Sequence, residues 1–317
     1  MIEYDLIIVG GGASGLSAGI AALRNGIKNV LILERENNLG GNLNLFIHNG
    51  FGEYYLNGNF TGPELASNLI KDFKELGGLC KRNTEVLEVT KNKTISYVNP
   101  EDGIQEVKAS AIILASGCRE RFTGNINMPL HRYTGIFTLV SAHKLINHQG
   151  YLPGKEVVII GSNNWSLIIA RRIYLEGAKV KAVIDTCKEE VFSEIRDEIA
   201  EDFDINIIKN HRILEVHGNE RIESIDIEDI EDGTVKNLRC DSLILTVGYS
   251  PNIFFLRKAN IELKEDNTLI VNNYETSANG IFACGTVLSR EKGIFSSGEN
   301  GYHVGEIVSD YLKKYMY

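Results

Sequence analysis

Cysteine is sparse in this chain and never closely paired. The five in 317 residues, Cys80, Cys118, Cys187, Cys240 and Cys284, form neither a C-x-x-C nor a metal-ligand spacing. That excludes a sequence-adjacent dithiol, offers no metal site and argues against a disulfide framework. The five thiols read as small core hydrophobes or incidental groups. No block of Lys and Arg stands out, and the formal net charge is −9. Neither nucleic acid nor an anionic membrane surface is therefore an expected partner. No apolar run is long enough to span a bilayer. From Met1 the sequence passes straight into a strand-like run ending at Gly10, without a charged leader. A cytoplasmic location is the resulting expectation.

What is present is an ordinary globular composition, 43% apolar and 24% charged, in a chain long enough for two cores. Leu6 to Val9, a glycine turn, the small-residue segment Gly15 to Asn25 and the run Val30 to Leu33 make one βαβ unit. The order returns at Val157 to Ile160, Gly161, Ser166 to Glu176 and Val180 to Ile184. This internal repeat predicts an α/β fold of two Rossmann-like, three-layer domains, the second inserted into the first. The expected first domain is residues 1–118 with 249–317, and the second is 119–248.

The first turn reads Gly10-Gly11-Gly12-Ala13-Ser14-Gly15, a G-x-G-x-x-G. Gly10 makes the tight turn, Gly12 admits a pyrophosphate, and Gly15 lets helix and strand approach. Ala13 and Ser14 open the helix, whose unpaired N–H groups carry about half a positive charge. Glu34 ends the next strand about 20 residues on, placed to accept from both ribose hydroxyls. The reading is a dinucleotide site.

Downstream segments carry a resemblance. Leu39-Gly40-Gly41-Asn42, Ala115-Ser116-Gly117 and Gly280-Ile281-Phe282-Ala283-Cys284-Gly285-Thr286 resemble the L-G-G, A-T-G and G-x-x-A-x-G-D segments of thioredoxin-reductase-like flavoproteins. Further stretches, among them Ile47-His48-Asn49-Gly50-Phe51-Gly52 and Gly117-Cys118-Arg119-Glu120-Arg121, resemble the FAD-dependent oxidoreductases found with anaerobic glycerol-3-phosphate dehydrogenases. The resemblance implies FAD in the first domain and contacts from Arg35, Gly41, Asn42, Val86, Ala115, Ser116, Gly117, Gly285, Thr286, Phe295 and Ser296. It also implies a homodimer. Thr286 departs from the pattern, standing where the family has Asp or Asn, so weaker flavin binding is expected there.

The second turn reads Gly161-Ser162-Asn163-Asn164-Trp165-Ser166. Asn163 replaces the glycine that admits a pyrophosphate, Ser166 replaces the small packing residue, and Trp165 adds an indole on the first helical turn. Asp185 ends the following strand with no arginine pair after it, so a 2′-phosphate has no evident partner. NADPH is the least expected donor, and NAD(P)H use in general is doubtful. A shifted NADH pose with Asp185 on the ribose is the competing reading.

His48 is the candidate general acid or base, against a structural role bonding to backbone. Three functions stay open. One is an FAD-dependent oxidoreductase with an unidentified partner, and another is an NADH oxidase or dehydrogenase. The third is a non-catalytic FAD relay subunit. Ferredoxin or flavodoxin is a possible redox partner, which Arg119, Arg121, Arg132, Arg171 and Arg172 could serve if they converge.

Overall fold

The computed structural model describes residues 2–122, 133–188, 194–288 and 297–316, the side chains of 194–197 and 316 excepted. It divides into two compact units, Met1–Arg119 with Ser250–Tyr317, and Glu120–Tyr249. In chain order the elements that build the sites are β1 (Ile2–Val9), α1 (Ala13–Arg24), β2 (Val30–Leu33), β3 (Gly103–Leu114), β4 (Glu156–Ile160), α2 (Asn164–Leu175), β5 (Lys179–Ile184), β6 (Ser242–Leu245), β7 (Ile281–Ala283) and α3 (Ser297–Met316).

In the first unit β7, β3, β1 and β2 lie side by side and parallel, with Ile8 opposite Ile32 on one flank and Ile113 on the other. Leu6, Ile7 and Ile8 are wholly buried, as a strand covered on both faces requires. One face holds Ile7, Val9, Leu31 and Leu33 against Val86, Val89 and Tyr97 of an antiparallel layer. Helices cover the other face. There α1 is buried continuously from Ala13 to Ala22, because α3 lies along its outer side. Two glycines permit that closeness: a Cβ on Gly301 would collide with the carbonyl of Ser14, and one on Gly305 with that of Ala18.

The second unit repeats the scheme with its own five-stranded parallel sheet, in which β6, β4 and β5 are neighbours. Alternation along β4 sorts the core. Val157 and Ile159 face α2 and the helix Leu139–Gln149, while Val158 and Ile160 face the three-stranded antiparallel sheet of residues 211–239. Both units are thus helix, parallel sheet and antiparallel sheet in three layers. The fold is two Rossmann-like domains, the second inserted into the first. Among the described residues no helix is long and apolar enough to cross a membrane.

Candidate functional site

In the first unit the carboxyl ends of β1, β3 and β7 converge on the N-terminus of α1. Gly10 turns there with φ +105°, and its Cβ would strike the carbonyl oxygen of Ala115. A Cβ on Gly15 would strike the carbonyl oxygen of Gly10. At Gly12, by contrast, an added Cβ meets only Gly41 Cα at 3.9 Å. Gly12 is the N-cap of α1, and no side chain caps that helix. Its first N–H groups therefore face the turn without a side-chain acceptor.

Glu34, 6% exposed at the end of β2, reaches back to the turn. Its Oε2 accepts from Gly11 N–H at 2.7 Å and its Oε1 from Glu36 N–H at 2.8 Å. Burial raises the Glu34 carboxyl above the ordinary glutamate value, outweighing the bonds from Glu36 and Gly11. Each oxygen of the carboxylate thus accepts one backbone N–H. Arg35 is half exposed and lies 3.9 Å from Glu36. The turn through Gly40 closes over Gly11, Gly40 N–H donating to its carbonyl at 2.8 Å, and brings Gly41 beside Gly12. Asn42 is exposed in the 3-10 turn Gly41–Leu45.

After β3, Ala115 N–H donates to Val9 and the Ser116 hydroxyl donates to the Asn252 carbonyl at 2.8 Å. Gly117, at φ +68°, would place a Cβ 3.5 Å from Thr286 Oγ1. Gly285 N–H donates to Asn300 Oδ1 at 2.8 Å, and its missing side chain leaves room for Ser14. Ala13 to Gly15, Ala115 to Gly117 and Gly285–Thr286 thus gather at one sheet end. Val86 lies in the strand Glu85–Val89, its side chain in the core beneath that sheet. Phe295, Ser296 and Arg132 fall outside the described residues. His48 Nδ1 is 2.7 Å from the Asn49 carbonyl, with its ring 5.8 Å from that of Phe46 and 5.3 Å from that of Phe51.

The second unit follows the same plan with different side chains. Gly161 turns at φ +93°, and its N–H donates to Ile184 as that of Gly10 does to Leu33. Thr246 N–H donates to Ile160 as that of Ala115 does to Val9. Asp185 holds the place of Glu34: its Oδ2 accepts from Ser162 N–H at 3.0 Å and its Oδ1 from Cys187 N–H at 2.9 Å. Here, however, the Ser162 hydroxyl also donates to Oδ2. Burial raises the Asp185 carboxyl, but the Cys187 and Ser162 bonds outweigh it and hold the group below the ordinary aspartate value.

Asn163 is the N-cap of α2, and its Oδ1 accepts from Ser166 N–H at 3.1 Å. The Ser166 hydroxyl, fully buried, pairs with Thr246 Oγ1 at 2.8 Å, and Thr246 Oγ1 donates to the Ile160 carbonyl at 2.5 Å. Trp165 is partly buried and packs on the helical side of the core.

Cys80, Cys187, Cys240 and Cys284 are free thiols, the first half-buried, the second exposed and the last two buried. Burial pushes the Cys284 and Cys240 thiols up to about 12, so neither is a ready nucleophile. Glu215, His217 and Asp226 form the one potential metal-holding group among the described residues. His217 Nε2 there lies 2.7 Å from Asp226 Oδ2, a hydrogen-bonded contact across two strands that linear spacing could not reveal.

With this geometry in place, comparison with known proteins gives the class. Residues 4–303 match the family described as pyridine nucleotide-disulphide oxidoreductase, and the chain belongs to it. It is an oxidoreductase and flavoprotein of thioredoxin-reductase-like fold. It is 28% identical to a thioredoxin reductase of Borreliella burgdorferi, over 90% of this chain and 85% of that protein. To a 34.2 kDa protein in the rubredoxin operon of Clostridium pasteurianum it is 25% identical, over 91% of this chain and 90% of the other. The fold is shared with thioredoxin reductase of Lactococcus lactis, at a TM-score of 0.81, 21% identity, and 98% and 99% of the two chains. Family membership implies flavin and pyridine nucleotide chemistry.

Proposed function

We propose that the chain is an FAD-dependent oxidoreductase without an internal dithiol, exchanging electrons with a protein or small molecule rather than readily with NADPH. The observation that carries this reading is the contrast between two helix N-termini: α1 begins uncapped at Gly12, whereas Asn163 caps α2. Residues of the first unit fit FAD. Gly10, Gly12, Ala13, Ser14 and Gly15 would set its pyrophosphate against the helix N–H groups, where an anion is favoured. Glu34, with one N–H on each oxygen, would take the ribose hydroxyls, and Arg35 and Val86 would complete that side of the site. Gly41, Asn42, Ala115, Ser116, Gly117, Gly285 and Thr286 would hold the flavin half, as would Phe295 and Ser296. FAD, when bound, supplies the two-electron carrier.

Three features support the rest of the reading. The region Tyr133 to Gly154 has no cysteine, and the buried Cys240 and Cys284 are held protonated. In the second unit Asn163 takes a helix N–H that a pyrophosphate would use, and Asp185 has no following arginine pair. The relative from a rubredoxin operon makes a small redox protein a concrete partner to assay, beside ferredoxin and flavodoxin. A homodimer in the cytoplasm, or a relay subunit within a larger complex, is compatible with these features. NADH in a shifted pose is the second reading, favoured by Asp185, which stays ionised at the end of β5.

Purified protein should be yellow, with about one flavin per chain that heat releases as FAD rather than FMN. Gly12→Asp should abolish retention, because a carboxylate would meet the pyrophosphate. An added Cβ at Gly12 meets nothing nearer than Gly41 Cα at 3.9 Å, so the apoprotein should keep its circular dichroism. Colourless protein that cannot be reconstituted with FAD would refute the proposal.

A further inference from the structure

We propose that Ser162 is a specificity-determining residue of the second unit: its hydroxyl occupies, on Asp185 Oδ2, the place a ribose hydroxyl of a dinucleotide would take. The inference rests on the reading that this unit binds nicotinamide dinucleotides poorly, and it assigns that loss at the ribose end to one side chain.

The two units of the chain make the comparison. Each has an acid at the end of its second strand that accepts from the N–H following the first turn glycine, through Glu34 Oε2 in one and Asp185 Oδ2 in the other. Each has a second N–H, two residues past the acid, on the other oxygen. A carboxylate oxygen has two lone-pair directions. In the first unit Oε2 carries the Gly11 N–H, and residue 11 has no side chain to supply another donor. A Cβ there would collide with Leu39 and stand 3.3 Å from Glu34 Oε2. In the second unit residue 162 is serine, and its N–H and hydroxyl both fall on Oδ2. That oxygen is saturated from within the chain.

A ribose diol must therefore displace the Ser162 hydroxyl, exchanging one hydrogen bond to a carboxylate for another and gaining little. The direction of the two acids agrees: burial leaves Glu34 raised despite its two bonds, whereas at Asp185 burial is outweighed by the bonds from Cys187 and Ser162 together. Asn163 acts separately at the phosphate end, through Ser166 N–H. The two devices are 23 and 3 residues from their respective partners and share no acceptor.

The test uses the FAD-loaded protein, so that the first site is filled, and calorimetry with three probes: adenosine, NADH and inorganic pyrophosphate. Ser162→Gly and Ser162→Ala add no atoms, and both should bind adenosine and NADH about tenfold more tightly, the scale of one hydrogen bond to a charged group. Pyrophosphate affinity should not change. Adding Asp185→Asn to either variant should remove the gain. Unchanged adenosine affinity in both single variants, or a gain that survives Asp185→Asn, would overturn the assignment. Micromolar NADH binding by the unmodified protein would instead refute the reading of a poor nicotinamide site. The adenosine ratio would still judge Ser162 on its own.

Discussion

Glu34 and Asp185 are the same device in two electrostatic states, and pH separates them. Burial raises the Glu34 carboxyl, so its contribution to the ligand-free fold is fully present below the ordinary glutamate value and is lost as pH rises through the raised one. Hydrogen bonds depress Asp185, so its contribution is present above the ordinary aspartate value and is lost as pH falls through the lowered one. Denaturant titrations of the apoprotein across the acid range should show this. Glu34→Gln should flatten the loss on raising pH, and Asp185→Asn should flatten the loss on acidification. Identical slopes in both variants and the parent would contradict the assignment. The glycines and acids of both turns were legible because their spacing is local to one βαβ unit. Ser162 and Thr246 were not. The Ser162 bond depends on which way a hydroxyl turns, and Thr246 meets Gly161 and Ser166 only through the parallel register of β6 on β4. Ser166, which replaces the small packing residue of the pattern, pairs with Thr246 by the same register.

At the scale of elements, α1 is positioned by what lies along it. The last helix of the first unit, α3, runs against α1. The pattern gave no sign that Gly301 and Gly305 set the distance, since a glycine in a helix reads first as a weakness. Their role appears only when a side chain is placed on them. Gly305→Val would force the helices apart at Ala18. The expected cost is about 1–3 kcal/mol of stability, the usual range for overpacking. FAD content should fall as well, because the N-terminus of α1 moves with its axis. A variant with unchanged melting temperature and full flavin would refute this account of α3. The cross-strand group of Glu215, His217 and Asp226 escaped the sequence for a related reason, being assembled by antiparallel register.

Over the whole molecule, two copies of one architecture differ at their turns: α1 begins uncapped at Gly12, whereas Asn163 caps α2 and the Ser162 hydroxyl lies on Asp185. The repeat, the insertion and the class of fold were readable because hydrophobic runs and turn glycines recur in order. The electron partner was not, because it depends on surfaces that no local pattern encodes. On the proposal that no thiol pair takes part, converting all five cysteines to serine should leave the number of electrons the folded flavoprotein takes up from dithionite at two per chain, as in the parent. An uptake of four electrons by the parent that falls to two in the variant would show that a thiol pair takes part. The most direct measurement is anaerobic reduction of the purified flavoprotein, followed at the flavin absorbance, with NADH, NADPH and dithionite in parallel. Dithionite should bleach the flavin fully while both nicotinamides act slowly or not at all. Complete bleaching by NADH within milliseconds, saturating at micromolar cofactor, would contradict the account.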